Sequence, residues 1–416
     1  MAIKTLVSTL SAITLMGTLA PHAAAVSITD NDLTLSIGVQ LQSRVDFDKA
    51  KDGNGNDYSP DSGADFTKAP TASIYMRRAR FSFKGTYMQD WGFNFTFRDD
   101  GAGRGGTNST SAGETPLMQQ AYISRIWKME GVSSQIQVGQ DYAFHNRSNN
   151  VVSSSELLFP TLSATAALLN SRAPGVGYRF NSDMVTFGAD FQNNTTHTGG
   201  VAGTAAAPDK AEGLFYSARV ELTGPGSWRI AKDTESFVGA QGMGARIGLD
   251  IADNKNSRTG GPPPTNSRST LDYGIDGLFH WDGLSALAEA RWDNAKNTAD
   301  TGTSAPNTKS VVFDVQAGYC IPMSGWAIEP AVRYERMDFK NTGAGADLFG
   351  ANNQDDYGNS GKQIEVGVNL YWAGHKCKTQ IEYVNWKGLY GGTAAGTATA
   401  DKAKASIFRL QQQLVF

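Results

Sequence analysis

The stretch SIFRLQQQLVF (406–416) places Phe408, Leu410, Leu414 and Phe416 on alternate positions, with Arg409, Gln411 and Gln413 between them. A period of two over eleven residues predicts a strand with one apolar and one polar face. The same alternation is clearest at 33–48. There Leu33, Leu35, Ile37, Val39, Leu41, Val45 and Phe47 share one face, and Thr34, Ser36, Gln40, Gln42, Arg44, Asp46 and Asp48 the other. Further strands are expected near 73–88, 91–99, 117–129, 134–142, 175–181, 184–193, 213–223, 236–252, 269–281, 284–294, 309–320, 326–338, 362–373 and 377–387. With the two quoted above they make sixteen. The strand at 117–129 has mixed parity and leaves its faces open.

The connections alternate in length. Tight turns are expected at Gln89-Asp90, 130–133, 181–183, Asp282-Gly283, 322–325 and Gly374-His375. Long polar loops are expected at 49–71, 100–116, 143–174, 194–212, 253–268, 295–308, 339–361 and 388–404. One short-side connection, 224–235, is longer than a turn should be. An even number of strands with short turns at one end and long loops at the other predicts an all-β protein, a transmembrane antiparallel β-barrel of about sixteen strands. A soluble adhesin sandwich would not sustain this pattern along most of a chain.

Residues 1–25 read as an export signal. Lys4 supplies the basic start, 6–20 the apolar stretch and Ala23-Ala24-Ala25 the cleavage site. The mature chain, 26–416, is then one barrel in a bacterial outer membrane, facing outer-membrane lipid and lipopolysaccharide. No linker or shift of composition divides it. The formal net charge of −3 becomes one unit more negative when Lys4 is removed, too mild a balance to suggest a nucleic-acid partner or an anionic lipid surface, and no nucleic acid is expected. Trp91, Trp127, Trp281, Trp326 and Trp386 stand at strand ends and suit interfacial girdles. Cys320 and Cys377 fall near turns three strands apart, about 14 Å at about 4.8 Å per strand, so two free thiols are expected.

Four passages, YMRRARFSFKG (75–85), QVGQ (137–140), EVGVNLYW (365–372) and the closing RLQQQLVF (409–416), resemble the phosphate-selective porin O/P family. The resemblance extends over most of the mature chain. It implies a sixteen-stranded trimeric outer-membrane channel, a third long loop folded into the lumen, and arginines lining a path for small anions. Here the third long loop is 143–174, the longest of the set.

Parity gives candidates for that path. Arg44, Arg78, Arg80, Lys84 and Arg98 point inward, and Arg147 and Arg172 lie on the loop. Guanidiniums stay charged and grip oxyanions bidentately. Arg77 should face outward unless a bulge rotates it. The family pattern is not fully met, because inward acids outnumber inward bases. They include Asp46, Asp48, Asp250, Asp272, Asp276, Glu289, Asp293, Asp314, Glu329, Glu365 and Glu382, mostly on the later strands. Many must pair across strands. The alternative is a general or sugar-permeable porin with Tyr371 and Trp386 as stacking surfaces.

Other chemistries find no support. GAGRGG (101–106) matches G-x-G-x-x-G, but a Ser/Thr/Gly loop follows it instead of a helix. Asp52, Asn54 and Asn56 have calcium-loop spacing, yet Asp57 and Gly63 stand where Gly and Glu are required. Only His280 among the histidines falls on a strand, and it has no suitably spaced serine. No catalytic residue, cofactor or metal is expected.

Overall fold

The computed structural model describes residues 26–51, 57–58, 71–99, 117–168, 172–193, 213–230, 234–236, 242–259, 266–299, 307–340, 360–390 and 401–416. The export signal, the GAGRGG stretch and the 52–56 triplet lie outside these residues. Sixteen long strands form one closed antiparallel barrel. They are β1 Leu33–Lys51, β2 Thr71–Tyr87, β3 Trp91–Asp99, β4 Leu117–Met129, β5 Val132–Tyr142, β6 Arg172–Ser182, β7 Val185–Asn193 and β8 Leu214–Thr223. β9 Met243–Thr259, β10 Asn266–Trp281, β11 Leu284–Ala299, β12 Thr308–Tyr319, β13 Ala327–Lys340, β14 Ser360–Tyr371, β15 Cys377–Tyr390 and β16 Asp401–Val415 follow.

Each strand pairs with its sequence neighbour, and β16 returns to β1 in the register Leu414↔Leu41 and Phe408↔Phe47. Phe416 N donates to Val39 O at 3.0 Å and completes the seam. A short strand that the sequence did not announce, Val26–Asp30, folds back on β1 with Val26 opposite Ile37. Two further strand fragments, Asp57–Tyr58 and Ile321–Pro322, pair at the rims.

The alternation fixes the two faces. Phe81, Phe83, Ile123, Val138, Ile247, Phe313, Ile364 and Phe408 are exposed on the outside, while Asp272, Arg291, Arg333 and Glu365 are buried inside. Trp91, Trp127 and Trp281 are exposed at the turn end, as a girdle requires. Trp386 departs from that expectation. It shares the inward face of β15 with Glu382 and Val384 and is fully buried. Both cysteines are free and buried.

Two bulges explain where simple parity failed. On β2 the register passes from Gln42↔Arg78 to Ser43↔Met76, so Arg77 is the extra residue. Tyr75 and Arg78 are therefore both buried inside, although they differ in parity. On β4 the register passes from Thr96↔Gln120 to Phe97↔Met118, which makes Gln119 the extra residue. A bulge puts two residues opposite one and reverses the faces beyond it. Met118 stays exposed outside, Gln119 is buried inside, and the mixed parity of 117–129 is resolved.

One strand starts later than its pattern suggested. β9 begins at Met243, not near 236, because Glu235 and Ser236 are drawn into the barrel by polar partners described below.

The seam carries a first expected outcome. Phe416→Ser keeps the backbone bonds to Val39 but removes an apolar ring beside Leu414 on the outer face of the last strand. The yield of inserted barrel should fall, while single-channel conductance of the protein that does insert stays at the wild-type value. Quantitative immunoblots of outer membranes and planar-bilayer recordings check the two halves separately.

Candidate functional site

Between β5 and β6 the chain crosses the inside of the barrel. Asn146 enters with a left-handed backbone (φ 44°), held by its amide donating to Thr165 O at 3.0 Å. One helical turn spans Arg147–Val151 and another Ala164–Ala167, the latter capped by Ser163 Oγ accepting from Thr165 N. Between them Leu157, Leu158 and Phe159 are buried against the far wall.

The wall holds this segment through its carbonyls. Lys378 Nζ donates to Leu157 O at 2.7 Å, Asn369 Nδ2 to Leu158 O at 2.8 Å, and Arg44 Nη2 to Pro160 O at 2.6 Å. Arg333 donates to Thr161 O (3.0 Å) and Thr161 Oγ1 (2.6 Å), and stacks over the Phe159 ring at 4.8 Å. Gln413 Nε2 donates to Ser155 O at 2.9 Å. In return, Ala164 N donates to Glu335 Oε1 at 2.7 Å, and Ser148 Oγ donates to Glu289. Buried backbone polar groups need such partners, and an inner wall rich in long polar side chains supplies them.

Behind that segment the inward charges pair. Arg219 reaches Asp276 through both terminal nitrogens (2.7 and 2.9 Å), Glu221 at 2.8 Å and Asp250 at 2.8 Å. Arg291 takes Asp250 bidentately at 2.8 and 3.1 Å and also donates to Asp272. Arg333 pairs with Glu365 at 2.6 Å, and Arg409 with Glu382 at 3.0 Å. Gly248 gives Arg219 its place: a Cβ there would lie 2.1 Å from a guanidinium nitrogen. Asp250, Asp272, Asp276, Glu365 and Glu382 belong to the surplus of inward acids that the sequence made conspicuous, and each is taken up by a buried pair.

The opposite side of the lumen differs. Arg80, Arg98 and Arg172 are only partly buried, and Lys84 is exposed. Arg80 and Arg98 are direct cross-strand partners on β2 and β3. Like charges set directly opposite one another destabilise a sheet, so the pairing is maintained at a cost to the fold. Arg172 opens β6 directly opposite Tyr142. Its Nη1 donates to the Tyr142 hydroxyl at 3.0 Å, and its guanidinium sits 5.1 Å above the ring. The charges of Arg172, Arg80 and Arg98 all act on that hydroxyl, which also accepts from Gln119 Nε2 at 2.5 Å. The neighbouring carboxylate of Asp141 accepts from Gln120 (2.6 Å), Gln137 (2.8 Å) and the Tyr142 N–H (2.8 Å). Arg80 Nη1 donates to Ser154 Oγ at 3.0 Å, which ties this wall to the tip of the crossing segment.

The expected residues thus divide. Arg80 and Arg98 face each other across β2 and β3, and Arg172 is bonded to Tyr142. Arg44 and Arg78 are buried, bonded to Gln411 and Gln42. Arg147 is buried against Glu235 at 3.1 Å. Lys84 lies further toward the turn end, opposite Ser36 and Asn94. Tyr371 and Trp386 offer no stacking face: both are buried, and the Tyr371 hydroxyl donates to Glu329 at 2.5 Å. Tyr142 and Gln119 escaped the sequence reading. The Arg80–Arg98 pair was accessible to it, because counting outward from the turn Tyr87↔Trp91 reaches Arg80↔Arg98.

An uncharacterized protein of Aquifex aeolicus (strain VF5) is 24% identical over 369 residues, covering 83% of this chain and 80% of its own. An anion-selective porin from Comamonas acidovorans superposes with a TM-score of 0.54 at 9% identity, covering 92% of this chain and 100% of that one. The outer-membrane channel DcaP of Acinetobacter baumannii gives 0.53 at 12% identity over 93% and 99%. OmpT of Vibrio cholerae, in its trimer form, gives 0.52 at 12% identity over 93% and 100%. At such identities these structures speak for the sixteen-stranded porin fold alone. The sequence match is more specific: the family described as phosphate-selective porin O and P covers residues 49–416, and the chain belongs to it.

Proposed function

We propose that the chain is an outer-membrane diffusion channel, assembled as a homotrimer, that passes small anions, phosphate or a related oxyanion, in preference to cations. The observation that carries this reading is the group of three partly buried arginines beside the crossing segment: Arg80 opposite Arg98 and bonded to Ser154, and Arg172 on the Tyr142 hydroxyl. Three guanidiniums at a narrowing act on a permeating ion more strongly than charges in a wide vestibule, because less water screens them. Lys84 extends the positive track toward the turn end. Arg44 and Arg78 add positive charge behind it, Arg44 also holding the segment through Pro160 O, while Arg147 is paired with Glu235. The apolar outer face suits outer-membrane lipid and lipopolysaccharide. The trimer form of OmpT and the anion-selective porin lend support from the same fold. A channel, not an enzyme, is the activity this family and fold support.

A general or sugar-permeable porin without marked anion selectivity is the second reading, favoured by the acid-rich opposite wall. Asp250, Asp272, Glu365 and Glu382 are buried in ion pairs, which removes most of their reach into the open lumen. The zero-current potential of the purified protein in a KCl gradient decides between them. The expected sign is that of a chloride-preferring pore, and added phosphate should lower the chloride current. A cation-signed potential would sink the anion reading.

A further inference from the structure

The connection from β8 to β9 is far longer than the two to seven residues of the other turns at that end of the barrel. It begins on the rim, where Arg229 pairs with Asp183 at 3.0 Å. Ile230 then packs inside on Leu278 and Leu287. Beyond it Thr234 Oγ1 lies 3.3 Å from His375 Nε2, in the turn between β14 and β15, and Ser236 Oγ donates to Glu329 at 2.8 Å. Between those two, Glu235 is 3% exposed and meets the crossing segment from below. It accepts from Arg147 Nη1 at 3.1 Å and from Leu158 N at 3.0 Å, and its own N–H donates to Glu156 O at 3.2 Å. Gly242 returns to the rim, donating to Asp282.

We propose that Glu235 is a selectivity-setting residue: a strap from the turn end carries one negative charge into the narrow zone, where it neutralises Arg147 and fixes the crossing segment by its backbone. The inference rests on the reading of the chain as a diffusion channel, not on its preference for anions. A buried guanidinium needs buried partners, and here, beside the Glu289 carboxylate of the wall, one of them comes from outside both the segment and the barrel wall. The net charge of the narrow zone is therefore set jointly by connections from opposite ends of the barrel.

Planar-bilayer recordings of Glu235→Gln, Arg147→Gln and the double variant test this. Glu235→Gln should raise the anion-to-cation permeability ratio by about 3-fold or more, since a unit charge is uncovered in a weakly screened zone. Arg147→Gln should move the ratio the other way, and the double variant should return it to the wild-type value. Glu235→Asp, which keeps the charge but shortens its reach, should keep the ratio and gain only current flicker. A merely structural Glu235 would give flicker in Glu235→Gln without moving the ratio, and that result overturns the proposal. So does a double variant that fails to return. If Glu235→Gln does not insert, the Arg147→Gln shift and its reversal in the double variant decide. Both shifts are measured against the wild type, so a cation-preferring wild type would end the anion reading and leave this test standing.

Discussion

Arg80→Glu combined with Arg172→Glu should reverse the sign of the zero-current potential. Both side chains are only partly buried; Arg172 donates to the Tyr142 hydroxyl and Arg80 to Ser154 at the tip of the crossing segment, the wall proposed above to line the anion path. One charge acting on an ion about 4 Å away contributes about 1 kcal/mol in bulk water and about 4 kcal/mol at the effective dielectric near a protein surface. At 1.4 kcal/mol per tenfold, that is about 5-fold to several-hundred-fold in relative occupancy for each replaced charge. The shift should be largest at low salt, because the screening length grows from about 10 Å at 0.1 M to about 30 Å at 0.01 M. Lys49→Glu with Lys51→Glu serves as the control. Those residues are exposed at the outer end of β1, and their change should leave the potential within a small fraction of the main effect. Equal potentials in both double variants would remove the Tyr142 cluster from the ion path.

Stability should respond most strongly to Arg291→Met. This guanidinium holds Asp250 bidentately, donates to Asp272, and lies 3.8 Å from Glu289, all fully or nearly fully buried. Removing one partner of a buried ion pair costs about 3–5 kcal/mol, because the remaining charge is left without compensation. Arg219 would retain Asp250 at 2.8 Å, so the uncompensated group is mainly Asp272. Arg291→Met with Asp272→Asn should therefore recover a large part of the loss, a non-additivity expected of residues in one network. Denaturant unfolding in lipid vesicles, followed by circular dichroism, measures both changes. Additive losses would show that the two groups are not coupled as drawn.

How much of this was written in the chain differs from element to element. The barrel and its handed faces were legible because a period of two is a local property, sustained at 33–48, 406–416 and between. The bulges at Arg77 and Gln119 were not, since an extra residue reverses parity without changing composition. Only the register of the neighbouring strand reveals it. The arginine pair on β2 and β3 could be counted from a tight turn. The approach of Arg172 to Tyr142 could not, because nothing local fixes how a connection of some thirty residues closes. The pattern of β9 was carried back to 236, and the unusual length of its preceding connection was the one sign that something else happens there. What that connection does depends on partners at Arg147, Glu329 and His375, each remote in sequence.

The seam between β16 and β1 has a consequence for the order of events during folding. Every other strand pair joins sequence neighbours, whereas Phe416 bonds to Val39 across almost the whole chain. Each doubling of a closed loop adds only about 0.6 kcal/mol of entropic cost, so equilibrium hardly registers the distance. Rates do, because non-local pairings must wait for loop closure before they are rewarded. Hairpins therefore zip first into an open sheet with two bare edges, and the ring closes last. Until then both edges can accept a foreign strand. Val26–Asp30, folded back on Leu33 to Ile37, occupies the part of one edge that the terminal phenylalanine never reaches. It shortens the exposed template during the slowest step and leaves only the segment facing β16 open to a competitor.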